Sequence, residues 1–153
     1  MGLFVYLYGR FPVKRKNLYF CLFLIGLTMQ FLGELFILQS IEDTENGFIA
    51  RLHCNPEHLV YHAHFPGNPI TPGACLLQTA SEILQKKLCL TLYLKSSKNI
   101  KYLNVLMPAP DKEVRFTFSN FTETETECKV KVVIADEVSV YSKMSLTFSY
   151  EPL

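Results

Sequence analysis

At 153 residues, with 49% hydrophobic and 13% aromatic side chains, the chain is long enough to bury one sizeable core and too apolar to be disordered. Its net charge of +1 hides an asymmetry: Arg10, Lys14, Arg15 and Lys16 stand in a leader without acids, so residues 29–153 are net acidic and nothing argues for nucleic acid. An odd number of scattered cysteines fits a reducing compartment better than a disulfide framework, and His53, His58, His62 and His64 lack zinc-ligand spacing, so no metal site is expected.

Residues 1–28 set that basic cluster before the apolar run Leu18 to Leu27. The order is that of a secretory signal, but no small-residue cleavage site follows, and the run is shorter than the roughly 20 residues that span a bilayer. Two readings stay open: a membrane-proximal leader, or an upstream extension of a domain whose natural start is Met29. The expectation is a cytoplasmic domain over 29–153, with membrane association through 1–28 left open.

The first strands follow. F-I-A-R-L-H-C from Phe48 to Cys54 alternates apolar and polar positions after Asn46-Gly47, and pairs as a hairpin with Phe36–Glu42. Residues 55–72 contain four prolines, which predict a loop without regular structure. Within it, Pro66, Pro69 and Pro72 fix φ and withhold amide donors, while Gly67 and Gly73 permit geometries or close approaches that a side chain would block. Such a loop holds His64 in place and enters a helix, with Thr71 as the expected N-cap and Pro72 in the first helical position. The helix runs from Gly73 to about Leu90, with Leu76, Leu77, Ala80, Ile83, Leu84 and Leu88 on one stripe and Gln78, Glu82 and Gln85 off it. That polar face reads either as solvated surface or as the lining of a site at the helix start. A histidine beside a helix N-terminus is an arrangement for removing a proton next to a polarised carbonyl, although a lone loop histidine is more often a structural hydrogen-bonder.

Lys86, Lys87, Lys95, Lys98 and Lys101 follow with no carboxylate between them, either a solvated face or a docking patch for an acidic partner. Ile100–Met107, apolar on both sides, predicts a central strand closed by a turn at Pro108–Asp111. Glu113–Phe121, Cys128–Ile134 and Val138–Tyr150 alternate as half-buried strands, the last with Val138, Val140, Met144, Leu146, Phe148 and Tyr150 on one side. One long helix and about six antiparallel strands, each with one apolar face, bury those faces by curling the sheet around the helix, which makes the fold class α+β.

H-F-P-G-N-P-I-T-P-G, from His64 to Gly73, resembles the signature H-F-P-G-x-P-x-x-P-G of the 3-hydroxyacyl-[acyl-carrier-protein] dehydratases, and matches it at every fixed position. More weakly, the resemblance extends from about Met29 to the C-terminus through the order of elements. It implies the hot-dog fold, a long central helix wrapped by a curved antiparallel sheet, and dehydration of 3-hydroxyacyl thioesters on acyl carrier protein without metal or redox cofactor. It further implies that His64 is the catalytic base, that the Gly73 amide binds the thioester oxygen, and that Phe65, Pro66, Gly67 and Pro72 shape the substrate site. Where the family carries its second catalytic residue, a glutamate, this chain has Gln78, and Glu82 stands where many members have glutamine. A carboxamide hydrogen-bonds a hydroxyl but does not exchange a proton with it near neutral pH, so Glu82 enters the candidate catalytic set beside His64 and Gln78. The implied assembly is a homodimer whose sites draw on both subunits, with carrier docking near Lys86, Lys87, Lys95, Lys98 and Lys101. Two other readings remain open: a silent acyl-binding subunit paired in a heterodimer with an active dehydratase, and a thioesterase on the same fold.

Overall fold

Alternating apolar positions decide which side of each strand turns inward. A computed structural model describes residues 30–63, 65 and 67–153. In it β1 (Phe36–Thr44) and β2 (Gly47–Cys54) pair antiparallel, and β2 buries Phe48, Ala50, Leu52 and Cys54 while its alternate residues face outward. The hairpin closes at the Thr44↔Gly47 pair around Glu45 and Asn46, one residue earlier than the expected Asn46-Gly47 turn. Gly47 serves a close approach as well: a Cβ there would sit 2.0 Å from the Phe118 carbonyl oxygen of the next strand.

Residues 55–72 are less irregular than their prolines suggest, because α1 (Leu59–Ala63) forms one short helix before the Pro/Gly stretch. Its start is capped by the His58 ring, whose Nδ1 accepts from the Val60 amide at 3.1 Å. The long helix α2 (Gly73–Leu88) ends at Cys89 in the left-handed conformation, whose amide returns to the Gln85 carbonyl. Its buried set is wider than a stripe: Ala74, Cys75, Thr79 and Ser81 join the expected apolar residues, and Thr79 and Ser81 satisfy their hydroxyls on the carbonyls one turn back. A helix buried nearly all round is one enclosed by a sheet.

That sheet has the order β1-β2-β4-β5-β6-β3, all pairs antiparallel. β4 (Glu113–Glu123), β5 (Glu127–Ala135) and β6 (Val140–Ser149) bury the expected Val114, Phe116, Phe118, Cys128, Val130, Val132, Ile134, Met144, Leu146 and Phe148. Val138 departs from its expected place. It lies 92% exposed in a turn built by Asp136, whose Oδ1 accepts from the amides of Val138 and Ser139.

The larger correction concerns the strand after the helix. β3 spans Tyr93–Tyr102 and occupies the sheet edge, while Leu103, Val105 and Met107 lie exposed outside any strand. Apolar residues on both sides of Ile100–Met107 suggested a central strand; the segment that pairs is instead the lysine- and serine-rich one, a composition suited to an edge that must not recruit other strands. The helix-in-sheet arrangement is the hot-dog fold, α+β. No helix among the described residues is long and apolar enough to cross a membrane. The leader, including Leu18 to Leu27, lies outside the described residues.

Candidate active site

The site is built where the Pro/Gly loop meets α2. Pro72, buried and extended at φ −62° and ψ 142°, is itself the N-cap residue, so the helix begins one position later than expected, at Gly73, and no side chain caps it. Thr71 is drawn elsewhere: its amide donates to the Leu106 carbonyl at 2.8 Å, and its hydroxyl shares a 2.9 Å hydrogen bond with the Tyr61 hydroxyl. The loop is thereby fastened on both sides, to α1 and to the segment after β3. Its turn from Phe65 to Asn68, closed by Asn68 N–H on the Phe65 carbonyl at 3.0 Å, uses left-handed backbone at Phe65 (φ 58°) and Gly67 (φ 82°). A non-glycine residue in that region is uncommon and costs energy, which is the kind of local strain that clusters at functional sites. His64 and Pro66 lie outside the described residues.

Gly67 and Gly73 are glycines for different reasons. A Cβ on Gly67 would meet nothing within 4 Å, so its conformation alone calls for glycine. A Cβ on Gly73 would lie 2.4 Å from Cζ and 2.7 Å from the hydroxyl of Tyr102, so the tyrosine ring rests directly on the first residue of the helix. Close approach at Gly73 was expected from its place after Pro72; the approaching group is a phenol, which nothing in the sequence pattern indicated.

Gln78 and Glu82 are brought together on one face of α2, the Gln78 Nε2 donating to Glu82 Oε1 at 3.0 Å. Only the nitrogen of a carboxamide donates to a carboxylate, so this contact turns the Gln78 Oε1 away from Glu82 as an acceptor. Glu82 is half-buried and engaged. It also accepts from the Leu32 amide at 2.7 Å and the Phe31 amide at 3.3 Å, joining the buried segment before β1 to the helix. A glutamate at the middle of a helix gives no sign in sequence that it will answer two backbone amides fifty residues away.

The five lysines do not form one patch. Lys87 pairs with Asp43 at 2.6 Å, and Lys95 pairs with Glu127, so the fold supplies the carboxylates missing from the local sequence. Lys98 and Lys101 face outward on β3 beside other cations instead: Lys98 lines a shallow hollow with Lys129 and Lys131, and Lys101 stands directly opposite Lys143. Among the described residues no three His, Cys, Asp or Glu side chains gather as a metal site, and Cys54, Cys89 and Cys128 are free thiols.

His58 is a cap with a titratable ring. Burial lowers its pKa and the nearby Glu34 only partly opposes this. On acidification the unfolded chain therefore takes up the proton before the folded one. The stability His58 contributes is complete above its unfolded pKa of about 6.5 and is lost as pH falls toward the lower folded value. Melting temperatures measured from pH 7.5 down to 5 should fall less steeply for His58→Asn, which keeps a capping acceptor without titrating; equal acid sensitivity in the two proteins would refute the assignment.

Comparison with known proteins bears on the fold and the family. The family model of the ApeI-like proteins, described as ApeI dehydratase, matches residues 40–144, which include the whole loop, α2 and four complete strands after or before it. No curated protein matches. Among solved structures, the dehydratase heterocomplex ApeI:P from Xenorhabdus doucetiae aligns with a TM-score of 0.60 at 16% identity, covering 74% of this chain and 96% of that one. A hypothetical thioesterase protein with coenzyme A from Streptococcus pneumoniae aligns with a TM-score of 0.54 at 18% identity, over 76% of this chain and 85% of that one. The smu.793 protein from Streptococcus mutans, bound to acetyl CoA, aligns with a TM-score of 0.56 at 15% identity, over 82% and 94%. At these identities the structures establish a shared fold, and the match over residues 40–144 establishes the family: the chain is a member of the ApeI-like dehydratases.

Proposed function

We propose that the protein dehydrates 3-hydroxyacyl thioesters carried on an acyl carrier protein, giving 2-enoyl thioesters for acyl-chain synthesis in the cytoplasm. The observation that carries this reading is the dehydratase match over residues 40–144, which contains the complete His64–Gly73 decapeptide and a helix whose first residue is Gly73. In the proposed reaction His64 removes the C2 proton. The Gly73 amide, one of the unpaired donors of the first helical turn, stabilises the thioester oxygen as enolate character develops. The C3–O bond then breaks as the C2=C3 bond forms, and the departing hydroxide takes a proton to leave as water. Gln78, turned by Glu82, presents its carbonyl to the leaving hydroxyl and orients it. Since Gln78 exchanges no proton and the Glu82 oxygens are held by three donors, the returning proton comes from the His64 imidazolium.

Carrier docking would use the outer face of β3, β5 and β6, where, among the described residues, Lys98, Lys101, Lys129, Lys131 and Lys143 make none of the close ion pairs that hold Lys87 and Lys95, and only Glu127 offsets the charge of Lys129. Like charges opposite one another, as at Lys101↔Lys143, are unfavourable in a free sheet and favour an acidic partner. Purified protein given 3-hydroxyacyl carrier protein should yield the 2-enoyl product, with a KM that rises with salt; release of free acid instead would indicate a thioesterase.

A second reading has its own observation. Gln78 in place of an acid, beside a Glu82 already engaged, also suits a silent acyl-binding subunit that pairs with an active dehydratase. The ApeI:P structure, a heterocomplex by its own name, makes a heterodimer a reasonable alternative to the homodimer. The same assay separates them: the silent subunit turns over nothing until a partner is added.

A further inference from the structure

Beside the start of α2, on two paired strands, two buried hydroxyls bond to nothing, each other included. Tyr102 on β3 and Ser142 on β6 are direct cross-strand partners. Ser142 is 0% exposed, the Tyr102 hydroxyl oxygen is closed off from solvent, and neither has a hydrogen-bond partner, alone among the buried side-chain nitrogens and oxygens of the described residues. Folded proteins leave few buried hydroxyls unpaired, because each forfeits its bonds to water without replacing them. The contrast with Tyr61 is close at hand: that buried phenol is answered by Thr71 at 2.9 Å. The unanswered phenol is the one that lies on Gly73.

We infer that Tyr102 and Ser142 complete the thioester subsite, the Tyr102 hydroxyl donating to the thioester oxygen beside the Gly73 amide and accepting from the Ser142 hydroxyl behind it. This rests on the proposed dehydratase reading and extends it to residues outside the signature. The roles fit the donor inventory: a phenol gives one proton and accepts another, so one serine behind it satisfies both hydroxyls at once when a ligand oxygen arrives. Burial raises the pKa of the Tyr102 phenol well above its ordinary value, so it meets the developing oxyanion as a neutral donor. A donor fixed in a dry site acts most strongly on charge that appears only in the transition state, so its loss should fall on kcat more than on KM.

The test uses the full chain and, if a partner proves necessary, its complex. Tyr102→Phe should lower kcat by about tenfold with KM nearly unchanged, and Ser142→Ala should lower it by roughly threefold. Both variants delete an unpaired hydroxyl, so both should melt at or above the wild-type temperature, which a merely structural role would not produce. A second readout needs no turnover: binding of an acyl pantetheine thioester lacking the 3-hydroxyl, compared with the thioether in which a methylene replaces the carbonyl. Wild-type protein should prefer the thioester, and Tyr102→Phe should lose about tenfold of that preference. Equal preference in the two proteins, or activity lost only in step with melting temperature, would overturn the role of the phenol while leaving the dehydratase reading intact. A wild-type protein that binds neither compound would overturn the thioester site, and this inference with it.

Discussion

His64→Ala is expected to reduce dehydration by about 10³-fold or more, with melting temperature and oligomeric state unchanged. A positioned general acid or base is worth about 10²–10⁴ in rate, and in this site one imidazole is asked to do both jobs, taking the C2 proton and returning one to the leaving hydroxyl. Gln78 has no proton to exchange, and Glu82 is committed to the amides of Phe31 and Leu32 and to Gln78, so neither group is placed to rescue the variant. The proper control is His62→Ala, at the exposed end of α1, which should keep most activity. His58→Ala is unsuitable, because its ring caps α1 and packs edge-on against Phe31 at 6.2 Å, so its loss would disturb the approach to the loop. Equal losses from His62→Ala and His64→Ala would mean that the loop, not the base, had been damaged.

The fold was legible wherever one residue in two decided burial. β2, β4 and β5 bury the residues their alternation predicts, because a strand with one apolar side has one stable way to face a core. Legibility failed where pairing rather than burial decided. β3 has few apolar residues and exists because β6 offers a ladder beside it; that ladder runs out at Leu103, whose amide still donates to the Tyr141 carbonyl, and Val105 and Met107 lie beyond it. Val138 continues the alternation of β6 on paper, but Asp136 closes a turn that removes it from the strand. The candidate site divides in the same way. Its loop, its helix start and the proximity of Gln78 to Glu82 follow from local chemistry, since prolines, glycines and an i, i+4 spacing act over short range. What Glu82 holds and what covers Gly73 depend on segments distant in the chain, Phe31–Leu32 and Tyr102, and no local pattern announces either.

The exchanged amide and acid of α2 give the second large effect. Gln78→Glu would set a carboxyl where the carboxamide now lies 3.0 Å from Glu82, and two carboxylates that close do not both ionise. Two backbone amides already donate to the Glu82 oxygens, so the proton of the pair would be placed on residue 78, facing the leaving hydroxyl as a general acid. The expected result is a gain of about 10²-fold in kcat, with a new acid limb in the pH–rate profile. Glu82→Gln separates the remaining possibilities by pairing stability with rate. As the anchor of Phe31 and Leu32, Glu82 should cost the protein about 1–3 kcal/mol when it loses its charge and one acceptor oxygen, with a rate loss below about tenfold. As the acid itself, it should cost about 10²-fold in rate with melting temperature unchanged. A wild-type protein inert alone, unimproved by Gln78→Glu and activated only by mixing with a glutamate-bearing homologue, would mean that the missing acid is supplied across a shared interface. The proposed activity would then belong to the heterodimer, with this chain contributing acyl binding.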